Sequence, residues 1–321
     1  MKSAFLIRSD PDRLYQLIFR RSVLKKFVVP SKSLGLSRTV YVYFPVGYEN
    51  LDQRFPVLYL FRNHESEWIN RKQDGSRQGR NVRDVLDELI RTGKMKPLLV
   101  VMPGMGSLDN HIPGLGVNFS HPALASGREG IGTGRFEDYL IRDLIPWVDH
   151  RFRTLPGPYH RGTDGFSLGG YTAVQLVLRH PDLFHTAGSF DGTHMWLNFR
   201  DPRGGGGPDK TWTESTMFEP AFGKPFSIPL ALEYNASNLL TQLARSRKRP
   251  DLKFLITCVN REPDGNRDRA LHLLYQLDKA GYRNELPTHV LDPDASHNWY
   301  WADRHLALTA PVHSRLLWEK A

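Results

Sequence analysis

Continuous or alternating apolar runs, separated by polar and glycine-rich segments, lay out the fold of this chain. Residues 23–30 and 38–45 carry β-branched and aromatic side chains at strand spacing, and the link 31–36 predicts a hairpin between them. Residues 56–61 (Pro-Val-Leu-Tyr-Leu-Phe) and 97–102 (Pro-Leu-Leu-Val-Val-Met) are unbroken apolar runs, the pattern of strands covered on both faces. Between them Val82, Val85, Leu86, Leu89 and Ile90 recur at helical spacing, and Gly93 marks the stop. Phe136, Leu140, Leu144 and Ile145 predict an amphipathic helix that Pro146 bends or ends. Residues 170–180 predict a helix stopped by Pro181, and 185–190 a strand. A strand at 252–259 then precedes a helix bearing Ala270, Leu273, Leu274 and Leu277, closed by Gly281. A last strand at 288–291 and a terminal helix from Trp299, interrupted near Pro311, complete the series. Two paired strands followed by strand–helix alternation predict a mostly parallel sheet covered by helices.

Two segments break the rhythm. Residues 104–134 form a long glycine-rich loop containing His111 and His121, and loops of this length are usually functional or mobile. Residues 191–250 contain Gly204, Gly205, Gly206 and Gly207, and the aromatics Trp196, Phe199, Trp212, Phe218, Phe222, Phe226 and Tyr234. This stretch is too short and irregular for a core of its own, so residues 1–321 are read as a single domain with an insertion over the site at about 191–250. Its aromatics either line a substrate pocket or pack against one another.

Composition narrows the picture. The 40% hydrophobic content suits a globular protein, and no apolar run approaches the roughly 20 residues of a membrane span. The N-terminal run Ala4-Phe5-Leu6-Ile7 is broken by Arg8, Asp10 and Asp12, unlike a signal peptide, so a cytoplasmic location is expected. Cys258 is the single cysteine, which excludes an internal disulfide and a multi-cysteine metal site. The net charge of +9 is spread along the chain. Its one dense run, 245–249, reads as a solvated loop, and no nucleic-acid or membrane partner is expected.

The chemistry centres on Gly165-Phe166-Ser167-Leu168-Gly169. This matches Gly-x-Ser-x-Gly, a sharp strand-to-helix turn that lifts a serine hydroxyl clear of a sheet. The Leu168 N–H then faces the oxygen of a bound carbonyl. A serine nucleophile needs a base within reach and a third group to orient that base. In such sheets the order is serine, carboxylate, histidine, at strand C-terminal ends. Glu262, with Asp264 as the alternative, follows the 252–259 strand, and His297 follows the last strand. No helix-spaced histidine pair with a glutamate indicates a metal, and neither metal nor organic cofactor is expected.

These motifs resemble the esterase D-like branch of the α/β-hydrolases, which includes feruloyl and acetyl-xylan esterases, enterochelin esterases, S-formylglutathione hydrolase and the mycolyltransferases. The resemblance spans about residues 23–306. It is carried by Phe44-Pro45-Val46-Gly47-Tyr48, by 55–61 followed by a polar loop with Trp68, by Gly165–Tyr171, by 179–184, and by Ser296-His297-Asn298-Trp299 with Trp301. It implies an α/β-hydrolase fold with helices on both faces of the sheet, Ser167 as nucleophile, His297 as base and Glu262 as acid. It also implies a second oxyanion donor after Phe61, for which the His64 N–H is best placed. Relatives carry His-Gly and further glycines there, where this chain has Arg62-Asn63-His64-Glu65. Arg62, Trp68, Trp196 and Trp299 are the candidate substrate-binding residues.

The expected activity is hydrolysis of a small-molecule carboxylic ester, with aryl or carbohydrate-linked esters as candidates. Acyl transfer on the same triad and a non-catalytic binding module are the alternatives. The resemblance also allows a homodimer.

Overall fold

The computed structural model describes residues 21–49, 52–246, 249–260 and 266–320. The N-terminal apolar run, the centre of the 245–249 basic run, and both expected acids, Glu262 and Asp264, lie outside the described residues.

A seven-stranded sheet organises the molecule. Its strands are β1 (Val23–Ser31), β2 (Leu36–Phe44), β3 (Val57–Phe61), β4 (Leu99–Pro103), β5 (Arg161–Gly165), β6 (Thr186–Phe190) and, after two short strands β7 (Arg200–Asp201) and β8 (Gly207–Pro208) of a separate ribbon, β9 (Lys253–Thr257). The order across the sheet is β1-β2-β4-β3-β5-β6-β9. The hairpin β1–β2 and the β2–β4 pair are antiparallel, and all other neighbours are parallel. The C-terminal ends of β3, β5, β6 and β9 therefore open on one edge, where open α/β sheets bind ligands.

Strand periodicity divides the core between two faces. Val57, Tyr59 and Phe61 join one apolar cluster with Tyr171, Val174 and Val177 of the helix after β5. Leu58 and Leu60 join the opposite cluster with Val82, Val85 and Leu86 of α1 (Val82–Arg91) and Leu306 and Ala310 of the C-terminal helix. Helices cover both faces, with α2 (Ile145–Arg151) adding Ile145 and Val148 to the first cluster, as a mostly parallel sheet requires. The α/β-hydrolase fold class expected from the sequence is observed.

Three features differ from the sequence reading. The last expected strand, 288–291, is reduced to an isolated bridge between Cys258 and Val290. The terminal helix runs unbroken through Pro311, from Trp299 to Trp318. An internal proline costs about 3 kcal/mol. Full burial of side chains such as Leu306 and Leu317 contributes about 1.5–3 kcal/mol each, so packing prevails. The loop 104–134 is tied down by the buried Arg38, whose guanidinium donates to the carbonyls of Gly104, Gly106 and Gly130 at 3.2, 2.8 and 2.8 Å.

The aromatics of the insertion resolve toward packing. Trp212 stacks on Phe218 at 4.2 Å, meets Tyr171 at 4.8 Å, and is fully buried with Phe222. Phe199, Trp212 and Phe218 belong to the same apolar cluster as the sheet.

Candidate active site

Ser167 stands between β5 and α3 (Leu168–Arg179) with φ 59° and ψ −123°, a conformation that non-glycine residues adopt only when their surroundings impose it. Here they do. The Ser167 N–H donates to the Phe190 carbonyl at 3.0 Å, and the Thr193 N–H donates to the Ser167 carbonyl at 3.3 Å. A Cβ on Gly165 would collide with Gly169, and one on Gly169 with the Phe61 carbonyl, so both flanking positions are glycine because backbones meet there. Leu168 is the first residue of α3, where a helix leaves its N–H without an intrahelical carbonyl.

His297 lies just before α4 (Trp299–Trp318), and the start of that helix is closely held. Asn298 caps it by accepting from the Trp301 N–H at 3.2 Å. Asp74 accepts from the Trp299 N–H at 3.0 Å, and the Ser76 hydroxyl accepts from the Tyr300 N–H at 2.9 Å. The imidazole packs with its centroid 4.5 Å from that of Phe166, the residue preceding the serine. Its Nδ1 donates to Asp191 Oδ2 at 2.5 Å.

Asp191 is fully buried and is the first residue after β6. Its N–H donates to Thr257 O at 2.8 Å, and its Oδ1 accepts weakly from the Val259 N–H at 3.4 Å. With φ 45° it leaves the strand by a left-handed turn. The sequence reading expected the partner of His297 after β9, at Glu262 or Asp264. Among the described residues, which do not include Glu262 or Asp264, the carboxylate against Nδ1 is Asp191, one strand closer to the elbow. The available signal was an aspartate directly following a buried strand, in the order serine, carboxylate, histidine.

The loop after β3 also departs from expectation. The His64 N–H, expected to face the site, donates to Glu67 Oε1 at 2.8 Å while the Glu67 N–H donates back to His64 O at 3.2 Å. The other Glu67 oxygen lies 3.1 Å from Arg62 Nε. Arg62, partly exposed, rests with its guanidinium 4.9 Å above the Phe166 ring and 5.9 Å from that of Trp299. Trp68, Trp196 and Trp299 retain only 1, 1 and 2% of their surface. Trp68 and Trp299 meet edge to face at 5.0 Å and Trp196 packs against His272, so all three act as framework rather than exposed contact surface.

Two other nucleophile candidates are disfavoured by burial. Ser189 Oγ lies 3.1 Å from His194 Nε2, but neither residue is accessible. Burial, with Asp191 adding to it, pushes the Cys258 thiol up to about 12.

Behind the elbow sits a second carboxylate, Asp164 of β5, fully buried. Its Oδ1 accepts from His305 Nε2 at 2.9 Å and the Gly165 N–H at 2.7 Å. Its Oδ2 accepts from Thr309 Oγ1 at 2.7 Å and His313 Nε2 at 3.2 Å. Burial of a lone ion would cost several kcal/mol. Four donors to a charged acceptor, each contributing about 1.5–3 kcal/mol, offset that cost. Burial alone would raise the carboxyl pKa, but His305, through charge and hydrogen bond, and then His313 hold it well below the usual range. A depressed carboxyl contributes stability fully above its unfolded pKa, about 3.9, and loses it as pH falls toward the folded value. Thermal unfolding followed by circular dichroism is therefore expected to show Tm dropping below about pH 4. In Asp164→Asn the Tm should start lower and depend less steeply on pH in that range.

A sharp serine elbow at the C-terminal edge of a mostly parallel sheet, with a carboxylate-paired histidine packed against it, defines a protein of the α/β-hydrolase fold. Comparison with known proteins narrows the class. Residues 31–221 match the model of the Esterase family, described as "Putative esterase", and the chain belongs to that family. It is 31% identical over 181 residues to an endo-1,4-beta-xylanase/feruloyl esterase of Xylanibacter ruminicola, covering 54% of this chain and 22% of that protein. It is 27% identical over 162 residues to the esterase Rv1288 of Mycobacterium tuberculosis, covering 50% and 30%. The chain thus spans under a third of the length of these curated relatives. Among solved structures, an S-formylglutathione hydrolase from Agrobacterium tumefaciens superposes with a TM-score of 0.65 at 16% identity, over 92% of this chain and 96% of that one. A ferulic acid esterase gives 0.63 at 17% identity, over 92% and 99%. Among the described residues no helix is long and apolar enough to cross a membrane.

Proposed function

We propose that this protein hydrolyses carboxylic esters through Ser167, His297 and Asp191. The observation that carries the reading is the His297–Asp191 pair packed on Phe166 beside a serine in the strained elbow conformation. Asp191 fixes which imidazole nitrogen holds the proton and stabilises the charged ring, leaving Nε2 to take the Ser167 proton as Oγ attacks the carbonyl. The Leu168 N–H donates a hydrogen bond to the developing oxyanion on one side. Water then attacks the acyl-enzyme by the same route reversed, releasing the acid and restoring the serine. No step requires a metal or organic cofactor.

The second oxyanion donor in this reading is the His64 N–H, which must exchange Glu67 for the substrate oxygen. Hydrogen bonds to charged groups contribute about 1.5–3 kcal/mol, and those to neutral groups about half as much. Glu67→Gln is therefore expected to raise kcat by roughly three- to tenfold, measured by initial rates at saturating ester. A fall in kcat with a lowered Tm would instead assign Glu67 to holding the loop.

Aryl esters are the proposed substrate class, because the curated relative from Xylanibacter ruminicola and a structural neighbour are feruloyl or ferulic acid esterases. The test is turnover of p-nitrophenyl esters from acetate to octanoate and of methyl ferulate, with and without an added alcohol acceptor. Release of free acid supports hydrolysis, and acyl product on the alcohol in preference to water points to transfer. A folded protein that turns over none of them and resists a fluorophosphonate probe would sink the proposal.

A further inference from the structure

The strand that delivers the nucleophile is polar where parallel sheets are apolar: β5 reads Arg-Gly-Thr-Asp-Gly and is buried throughout. The proposed triad uses none of the Asp164 network, yet the fold makes room for it. A Cβ on Gly188 of β6 would collide with the Asp164 carboxylate, and one on Gly162 of β5 with the Thr186 hydroxyl. The network reaches well beyond the carboxylate. His305 Nδ1 bonds Thr257 Oγ1 of β9 at 2.7 Å, and His313 Nδ1 bonds Thr186 Oγ1 of β6 at 2.7 Å. His305, Thr309 and His313 lie four residues apart in α4, on the face turned to the sheet.

This geometry joins two parts that must be in register for catalysis. Asp164 is three residues before Ser167, and its Oδ1 holds the N–H of Gly165, the residue that opens the elbow. α4 begins two residues after His297 and is bonded at three points to the Asp164 carboxylate, with two further bonds to Thr257 and Thr186. The His305 ring also stacks on Phe190 at 5.6 Å, Phe190 stacks on Phe166 at 5.3 Å, and Phe166 meets His297. The backbone carbonyl of the same Thr257 receives the Asp191 N–H.

We propose that Asp164, with His305, Thr309 and His313, forms a buried clasp that sets the distance and orientation between Ser167 on its strand and His297 at the head of its helix. Apolar packing alone leaves a helix free to slide by fractions of an ångström along a sheet. Directional bonds to one carboxylate do not, because each donor has a single short optimum. These are positioning residues acting through the elbow and the helix. The inference rests on the serine-hydrolase reading above.

The experiment compares kcat, KM and the rate of fluorophosphonate labelling at Ser167 in wild type, Asp164→Asn, Thr309→Val and His313→Gln. Leu99→Ala in β4 serves as the control, since it lowers Tm by opening the core on the face of the sheet opposite to the C-terminal helix. A misplacement of about 1 Å costs about 10²-fold in rate. Asp164→Asn is expected to lose about that in kcat and in labelling rate with KM within about twofold, and Thr309→Val about threefold. Leu99→Ala should match their fall in Tm without the fall in kcat. If Asp164→Asn does not fold, the Thr309 and His313 variants carry the comparison. Clasp variants with lowered Tm but wild-type kcat and labelling rate would overturn the proposal while leaving the hydrolase reading intact. A folded wild type that is not labelled at all would overturn both.

Discussion

Ser167→Ala is expected to lower kcat for a p-nitrophenyl ester by about 10⁴-fold or more, with little change in KM and complete loss of fluorophosphonate labelling. The size follows from what the hydroxyl does in the proposed mechanism. It is the atom that forms the acyl-enzyme, so without it only binding and the oxyanion donors remain, and these accelerate hydrolysis over water by about 10³–10⁴. Stability should move the other way. Ser167 is held at φ 59° and ψ −123°, and alanine must adopt the same conformation, so the strain is retained. The side-chain oxygen, however, is no longer held in a largely buried site, so Tm should hold or rise. A variant that retains more than about a hundredth of wild-type turnover would show that another residue attacks the ester.

Asp191→Asn is expected to lower kcat by about 10⁴-fold at neutral pH, because the asparagine amide can offer its N–H to Nδ1 and so select the wrong imidazole tautomer. The variant keeps the volume of a fully buried side chain, and the fold should survive. Glu262→Gln, the change the sequence alone singles out, is expected to reduce kcat far less. Measured side by side at saturating substrate, the two variants decide which carboxylate orients His297. The reverse ranking would return the role to the strand β9 connection and leave Asp191 as a structural partner of the ring.

The contrast between those acids shows where the sequence stopped being informative. The chain order serine, carboxylate, histidine holds for Asp191 as well as for Glu262, since residue 191 falls between 167 and 297. Order along the chain does not rank strand ends by their distance from the elbow. Sheet order does: β6 lies beside β5, with Phe166 bridged to Phe190, whereas β9 is one strand further away. Parallel pairing between residues far apart in sequence decides this, and no local pattern records it. The His64 N–H was likewise placed by counting from Phe61, but its partner depends on where the Glu67 side chain turns back, a three-residue return that backbone pattern does not foretell.

By itself the sequence determined the architecture and pointed to Ser167 as the candidate nucleophile. The apolar runs at 56–61 and 97–102 have the pattern of strands covered on both faces and form β3 and β4, buried throughout. Gly165 and Gly169 around Ser167 mark a place where strand and helix backbones meet, because only glycine fits there. The Ser-His-Asn-Trp run likewise located His297, since Asn298 caps the helix that follows. Tertiary structure added what the sequence did not carry: that Asp191 lies against the imidazole, that Trp68, Trp196 and Trp299 are buried, and that Asp164 sits in a buried strand. Burial and pairing are properties of the assembled neighbours, and a buried charge is tolerated only where donors from a distant helix converge on it.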